Sequence, residues 1–380
     1  MSENDAIMIS ILKVEMRLDM YNMFVVLLVC IFTMITTLVL TPLFKWLAKK
    51  VNITDKPEAR RVHEKEMPTM GGITIVISFY LSSFLLLPIP LSQMLPLFLG
   101  SIIVVVTGII DDLYNLKPLV KLTGIIIGAV VIYAMGNVSL ETMTIPYFGT
   151  INFGVWEMPF TILWIVGLTN AINLIDGLDG LASGVSMIAL TTMGIIGFFF
   201  LTISEVSTSI MIFVLVSAIA GFWPYNFQPA SIFLGDTGAL FLGFMIGVFS
   251  LQGLKNATLI SLILPIVILG IPVTDTLFAM IRRKLRKQSI STADKNHIHH
   301  RLMSLGLSHR QTVLAIYCVS AIFSVIALLY TFSTLIGSIL LTIFVLIGVE
   351  LFVEIIGLVS ETKRPLLKLV QAFGRKLNGG

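Results

Sequence analysis

Apolar runs of about 17–25 residues, each long enough to cross a hydrocarbon layer of about 30 Å, recur along nearly the whole chain. They fall near 24–44, 71–87, 94–110, 120–135, 160–175, 181–201, 210–225, 239–254, 259–281, 312–330 and 335–358. This spacing predicts an all-α polytopic membrane protein with about eleven transmembrane helices. The short alternating segments of an outer-membrane barrel are not seen. One stretch does alternate: M-T-I-P-Y-F-G-T-I-N-F-G-V, around Gly149, predicts a small external β-hairpin near 143–155.

The polar gaps between runs set an orientation. With loops assigned to alternate sides, 22 lysines and arginines fall on one side, against Lys13, Arg17 and Lys255 on the other. Excess basic charge stays in the cytoplasm, so the N-terminus is expected outside and the C-terminus inside. Residues 1–20 read as an N-terminal extension, with Lys13, Glu15, Arg17 and Asp19 on a short amphipathic helix. It lacks a small-residue cleavage site, which argues against a secretory signal peptide. Met16, Met20 and Met23 are alternative starts. Residues 21–358 read as one transmembrane domain, and 359–380 as a basic cytoplasmic tail whose Leu366, Leu367, Leu369, Val370 and Phe373 suit an anionic inner leaflet.

Composition agrees with the pattern. The chain is 56% hydrophobic and 12% charged, where a soluble protein carries roughly a quarter of charged residues. Cys30 and Cys318 lie in separate runs with no metal-ligand spacing, so neither a disulfide nor zinc is expected. The net charge of +4 comes from residues just outside the runs. That is an orientation signal, and nucleic acid is not expected as a partner.

Polar clusters therefore need their own explanation. In N-A-I-N-L-I-D-G-L-D-G, Asn173, Asp176 and Asp179 stand three apart and would share a face if the backbone stays helical. Gly177 and Gly180 allow close approach of a ligand, although Asp179 would equally serve as a helix N-cap. Asp111 and Asp112 close the third run, where the negative end of a helix disfavours acids, and Lys121 opens the next. Lys117 and Lys121 could meet phosphate and an Asp could meet Mg2+, or the loop could hold a plain Asp–Lys pair. Asp236, in F-L-G-D-T-G-A, suits an N-cap, yet Gly235, Gly238 and Phe233 suggest a site where an aromatic ring stacks on a base. Asp236 is the first choice of metal ligand, because Mg2+ needs only one or two carboxylates when substrate phosphates supply the rest.

His297, His299, His300 and Arg301, in H-I-H-H-R, have no cysteine beside them, and read as phosphate donors rather than a zinc site. Asp55–His63 is a basic loop that could be an orientation signal alone. Asp275 lies deep in the ninth run after Pro272, where an ionisable group is a functional candidate and a kink is expected. Glu350 and Glu354 in the last run have no evident role.

Taken together, D-K-P-E-A-R-R-V-H with P-T-M-G-G, G-I-I-D-D, N-A-I-N-L-I-D-G-L-D-G, F-L-G-D-T-G and H-I-H-H-R resemble the polyprenyl-phosphate N-acetylhexosamine-1-phosphate transferases. The resemblance implies a catalytic domain in the bacterial inner membrane, with its active site facing the cytoplasm. It implies transfer of a sugar 1-phosphate from a UDP-sugar to undecaprenyl phosphate, release of UMP, and a need for Mg2+, with Mn2+ as a substitute ion. The H-I-H-H-R string is similar to the branch that uses UDP-N-acetylglucosamine and starts teichoic acid or O-antigen. The alternative is the peptidoglycan branch, which uses UDP-N-acetylmuramoyl-pentapeptide and usually shows a plain triple histidine.

Carried over residue by residue, Asp236 would bind the metal, and Asp111, Asp112 and Asp176 would be catalytic. Lys121, Asn173, Asp179, Phe233, His297, His299, His300 and Arg301 would contact substrate. A homodimer is left open. A secondary transporter is the rival from another class, but transporters set their ionisable groups near the bilayer midplane. Here only Asp275 lies deep.

Overall fold

The computed structural model describes residues 23–55, 66–145, 149–200, 206–252, 256–285, 297–358 and 364–368. The N-terminal extension, most of the Asp55–His63 loop and most of the tail lie outside them. The helices are α1 (Met23–Lys50), α2 (Gly72–Leu86), α3 (Leu91–Tyr114), α4 (Pro118–Gly136), α5 (Glu157–Ile175), α6 (Leu181–Phe200) and α7 (Val206–Asn226). They continue as α8 (Gly235–Leu251), α9 (Leu259–Ile268), α10 (Gly270–Leu285), α11 (Ile298–Ser304), α12 (His309–Phe332) and α13 (Leu335–Ile356).

Each apolar run falls on helix, yet only eight described helices have the length and apolarity of a full span. Two others, α2 and α8, are apolar but only 15 and 17 residues long. The ninth run is split at Leu269 into α9 and α10. Pro272 explains the split: it has no N–H for the carbonyl of Ile268, and sits in the first turn of α10, where that loss is tolerated.

The short α8 is the axis of the bundle. Every residue from Thr237 to Leu251 is buried, and α8 packs on α5, α3 and α2. Glycines make this close packing feasible. A Cβ on Gly243 would stand 2.7 Å from Thr169 Cα on α5, and one on Gly72 would stand 2.1 Å from Gly238 Cα. Small residues that let backbones approach are a general means of packing helices in lipid. At the periphery, α1 and α13 leave most of their large apolar side chains exposed, as helices facing lipid would.

Two small sheets accompany the helices. Strands β3 (Thr142–Ile145) and β4 (Gly149–Asn152) are antiparallel, with Thr142 opposite Asn152, at the place where the sequence predicts a hairpin. A third strand, β5 (Asn256–Thr258), lies parallel to β3, and no sequence signal announced it. The other pair, β1 (Thr54–Asp55) and β2 (Met67–Pro68), is antiparallel and draws the segment after α1 toward the start of α2.

Candidate active site

Four helix termini meet at one point: the C-terminal ends of α3 and α5 and the N-terminal ends of α4 and α8. Lys121, in the first turns of α4, is at their centre. Its ammonium lies 2.7 Å from Asp111 Oδ2 and in closer contact with Asp236 Oδ1. Asn173 Nδ2 donates to the same Asp236 oxygen at 2.6 Å. Asp111 is buried, and its Oδ1 accepts the N–H of Leu116 at 2.7 Å, so its two oxygens tie the α3–α4 turn to Lys121.

Asp112 turns the other way, onto the start of α8. Its Oδ1 accepts the N–H of Asp236 at 2.8 Å, and its Oδ2 accepts the N–H of Thr237 at 3.1 Å and the Thr237 hydroxyl at 2.6 Å. The carboxylate thus caps α8 from another helix, a role that offsets its adverse placement at the negative end of α3. Asp236 is not the N-cap that its motif also suited: it lies inside the first turn, and Leu234 holds the cap position. Gly235 makes room for the arrangement: its φ is +73°, and a Cβ would lie 2.8 Å from Asp112 Oδ2.

The expectation that Asn173, Asp176 and Asp179 share one helical face is corrected. Helix α5 ends at Ile175, Asp176 is its C-cap, and Gly180 turns the chain at φ +77° before α6. Asn173 and Asp176 nonetheless join the acidic group. The carboxyl of Asp176 is pushed well above the usual carboxylate range, first by burial and then by the charges of Asp236 and Asp112. Asp179 turns outward to brace a loop: its Oδ2 accepts the N–H of Ala230 at 2.9 Å, and its own N–H donates to His309 Nε2 at 3.0 Å.

The histidine segment reaches the same site through α11. A Cβ on Gly177 would lie 2.7 Å from His299 Nε2, so the imidazole rests directly on the loop that carries Asp176. His299 is buried, and its pKa is pushed down to about 3 by that burial and by His300, His297 and His309. It is therefore neutral at pH 7, and can act as a hydrogen-bonding group but not as a cation. His300 packs against it with ring centroids 4.3 Å apart. His297 stands slightly away, with its Nδ1 2.9 Å from Asp275 Oδ2.

The remaining candidates are placed differently. The guanidinium of Arg301 donates to the carbonyl of Gly357, at the end of α13. Arg282, which the sequence reading passed over, donates to the next carbonyl, Leu358, at 3.1 Å. Phe233 is half-buried, and its main chain bridges Pro68 and Gly71. Lys117 is exposed at the N-cap of α4. Glu354 accepts the N–H groups of Leu366 and Leu367, at 3.1 and 2.7 Å, and so holds the start of the tail. Sequence reasoning also missed Thr237 and His309; Thr237 stood within a quoted motif, while His309 had no motif around it.

Helices of this length and apolarity make a multi-pass membrane protein, and the polar cluster at their ends is of a kind that handles charged ligands. Comparison with known proteins gives the class: the chain belongs to the polyprenyl-phosphate N-acetylhexosamine-1-phosphate transferases. Residues 94–254 match the model of glycosyl transferase family 4. The chain is 41% identical to a probable undecaprenyl-phosphate N-acetylglucosaminyl 1-phosphate transferase of Bacillus subtilis (strain 168), over 91% of this chain and 96% of the relative. It is 30% identical to the undecaprenyl-phosphate alpha-N-acetylglucosaminyl 1-phosphate transferase of Thermotoga maritima, over 76% and 86%. It is 32% identical to the phospho-N-acetylmuramoyl-pentapeptide-transferase of Halalkalibacterium halodurans, over 80% and 97%.

Proposed function

We propose that the protein transfers N-acetylglucosamine 1-phosphate from UDP-N-acetylglucosamine to undecaprenyl phosphate, giving undecaprenyl-diphospho-N-acetylglucosamine and UMP. The step would open a cell-wall glycan such as teichoic acid, at the cytoplasmic face of the bacterial membrane. The observation that carries this reading is the convergence of Asp111, Asp236 and Asn173 on Lys121, with Asp112, Asp176 and His299 around them. The 22 lysines and arginines on this side of the predicted spans, against three on the other, support the orientation.

Among the described residues, no three histidines, cysteines or acids form a ready-made metal cage. The donor set still suits Mg2+. Oxygen ligands dominate, four carboxyls outnumber the single ammonium of Lys121, and the charges of Asp236 and Asp112 add to burial in raising the pKa of Asp176. Asp236, whose side chain is 35% exposed, and Asp176 would hold the ion, with substrate phosphates completing its shell. When bound, Mg2+ would neutralise charge on the pyrophosphate.

In the reaction an oxygen of undecaprenyl phosphate attacks the sugar-bearing phosphorus of the donor. The bond from that phosphorus to the bridging oxygen breaks, and UMP leaves with the bond's electrons. A phosphate monoester has a second pKa of about 6, so the nucleophile needs no strong base at pH 7. What the protein must supply is alignment and charge neutralisation. Lys121 would meet phosphate oxygen, held in place by Asp111, and neutral His299 would donate a hydrogen bond from the Gly177 side. Asp112, with both oxygens held by α8, is a brace, which favours direct attack over an aspartyl intermediate.

The test is UMP release by purified protein in detergent, given undecaprenyl phosphate and UDP-N-acetylglucosamine. No release from this donor overturns the proposal. Turnover of UDP-N-acetylmuramoyl-pentapeptide alone would support the second reading, which rests on the Halalkalibacterium relative.

A further inference from the structure

Asp275 is fully buried in α10 and belongs to none of the contacts around Lys121. Its two oxygens have two partners: Oδ2 lies 2.9 Å from His297 Nδ1, and Oδ1 accepts the N–H of Ile298 at 3.0 Å. One carboxyl thus holds both the ring at the N-cap of α11 and the first backbone N–H of that helix. Two residues after His297 comes His299, whose Nε2 touches Gly177 in the loop of Asp176. The His297 and His299 rings are nearly parallel, 6.0 Å apart and 6° from coplanar orientation, so a rotation of one α11 end moves both.

We infer that Asp275 is a positioning residue for this transferase: it fixes the proton of His297 on Nδ1 and sets the phase of α11, so that His299 seats on the Asp176 loop. The tautomer follows from donor and acceptor counting. With Asp275 in its carboxylate form, Oδ1 accepting from Ile298 and Oδ2 2.9 Å from the ring, that contact is made by an Nδ1–H. A buried carboxylate that fixes an imidazole's tautomer and orientation from behind is a general device for keeping its other nitrogen available. The need for it here is physical. α11 has only seven residues, too few to be stable alone, so its position must come from tertiary bonds.

The inference rests on the transferase reading, and its test has an arm that does not. In protein labelled with 15N-histidine, the His297 signal, identified by its loss in His297→Gln, should show a protonated Nδ1. In Asp275→Asn the amide can donate to Nδ1, and the proton should move to Nε2. A wild-type His297 with a bare Nδ1 overturns the inference, whatever the enzyme's donor proves to be.

The second arm is kinetic. Asp275→Asn and His297→Gln should each lower kcat/KM at least about tenfold, and the double variant should fall no further than the worse single one, because both remove the same contact. Effects that multiply, or an Asp275→Asn protein that melts earlier while its folded fraction turns over at the wild-type rate, overturn the positioning role. If wild-type protein releases no UMP from UDP-N-acetylglucosamine, the donor assignment fails while the spectra still decide the tautomer.

Discussion

Lys121 and Asp236 share a contact that neither could make if its helix began one turn earlier or later. The lysine opens α4, the aspartate opens α8, and the residues between them in space come from the ends of α3 and α5. Removing the Asp236 charge should therefore do more than remove the proposed metal ligand. We expect Asp236→Asn to abolish Mg2+-dependent UMP release while the protein still inserts and elutes as wild type; unchanged turnover would take Asp236 out of the metal role. Asp176 allows a test with a defined sign. Its raised pKa means that the folded protein without metal binds a proton the unfolded chain has lost, so this contribution to stability falls as pH rises from the ordinary 3.8 through the folded value. In the proposed metal role of Asp176, Mg2+ would compete with that proton. The rise in melting temperature on adding Mg2+ should thus grow as pH is raised above the ordinary carboxylate range, and Asp176→Asn should flatten the trend.

Among elements, α8 and the Gly177 turn show what the sequence could and could not reveal. The apolar run of α8 is plain, and so is the acid at its start, but the run does not say that it is buried on all sides. That depends on Gly72, Gly243 and Thr169, whose approach is a matter of tertiary distance. Likewise, spacing alone made Asn173, Asp176 and Asp179 one face, whereas Gly177 and Gly180 end the helix between them, and only the first two face the acids. The pairing of Asp275 with His297 spans 22 positions and has no local signature, although an acid in an apolar run was a legible anomaly. Two substitutions test the packing. Gly243→Ala puts a Cβ 2.7 Å from Thr169 Cα and should cost about 1–3 kcal/mol, seen as a lower melting temperature in detergent. Gly348→Ala, with nothing within 4 Å, should leave it almost unchanged. Gly177→Ala should be well tolerated for folding yet lower kcat/KM at least about tenfold, because the methyl displaces His299 from the loop.

Across the whole molecule, most charged groups among the described residues lie near helix ends, so the bundle can be rigid in lipid while its ends hold chemistry. Charge that would be costly at the membrane centre is confined to those ends or, like Asp275, fully paired. The last helix shows how far this wiring extends. It packs loosely and carries none of the reacting groups, yet Arg301 and Arg282 hold the carbonyls of Gly357 and Leu358 just beyond its end. Trimming the gene has a consequence there. A stop codon placed ahead of Gly357 deletes no acid, lysine or histidine of the candidate site, but it removes the two carbonyls that Arg301 and Arg282 hold, and with them one tie on the short helix that presents His299. Such a shortened protein should be inactive, whereas one ending after Lys368 keeps both ties, and a purification tag is best appended beyond that residue.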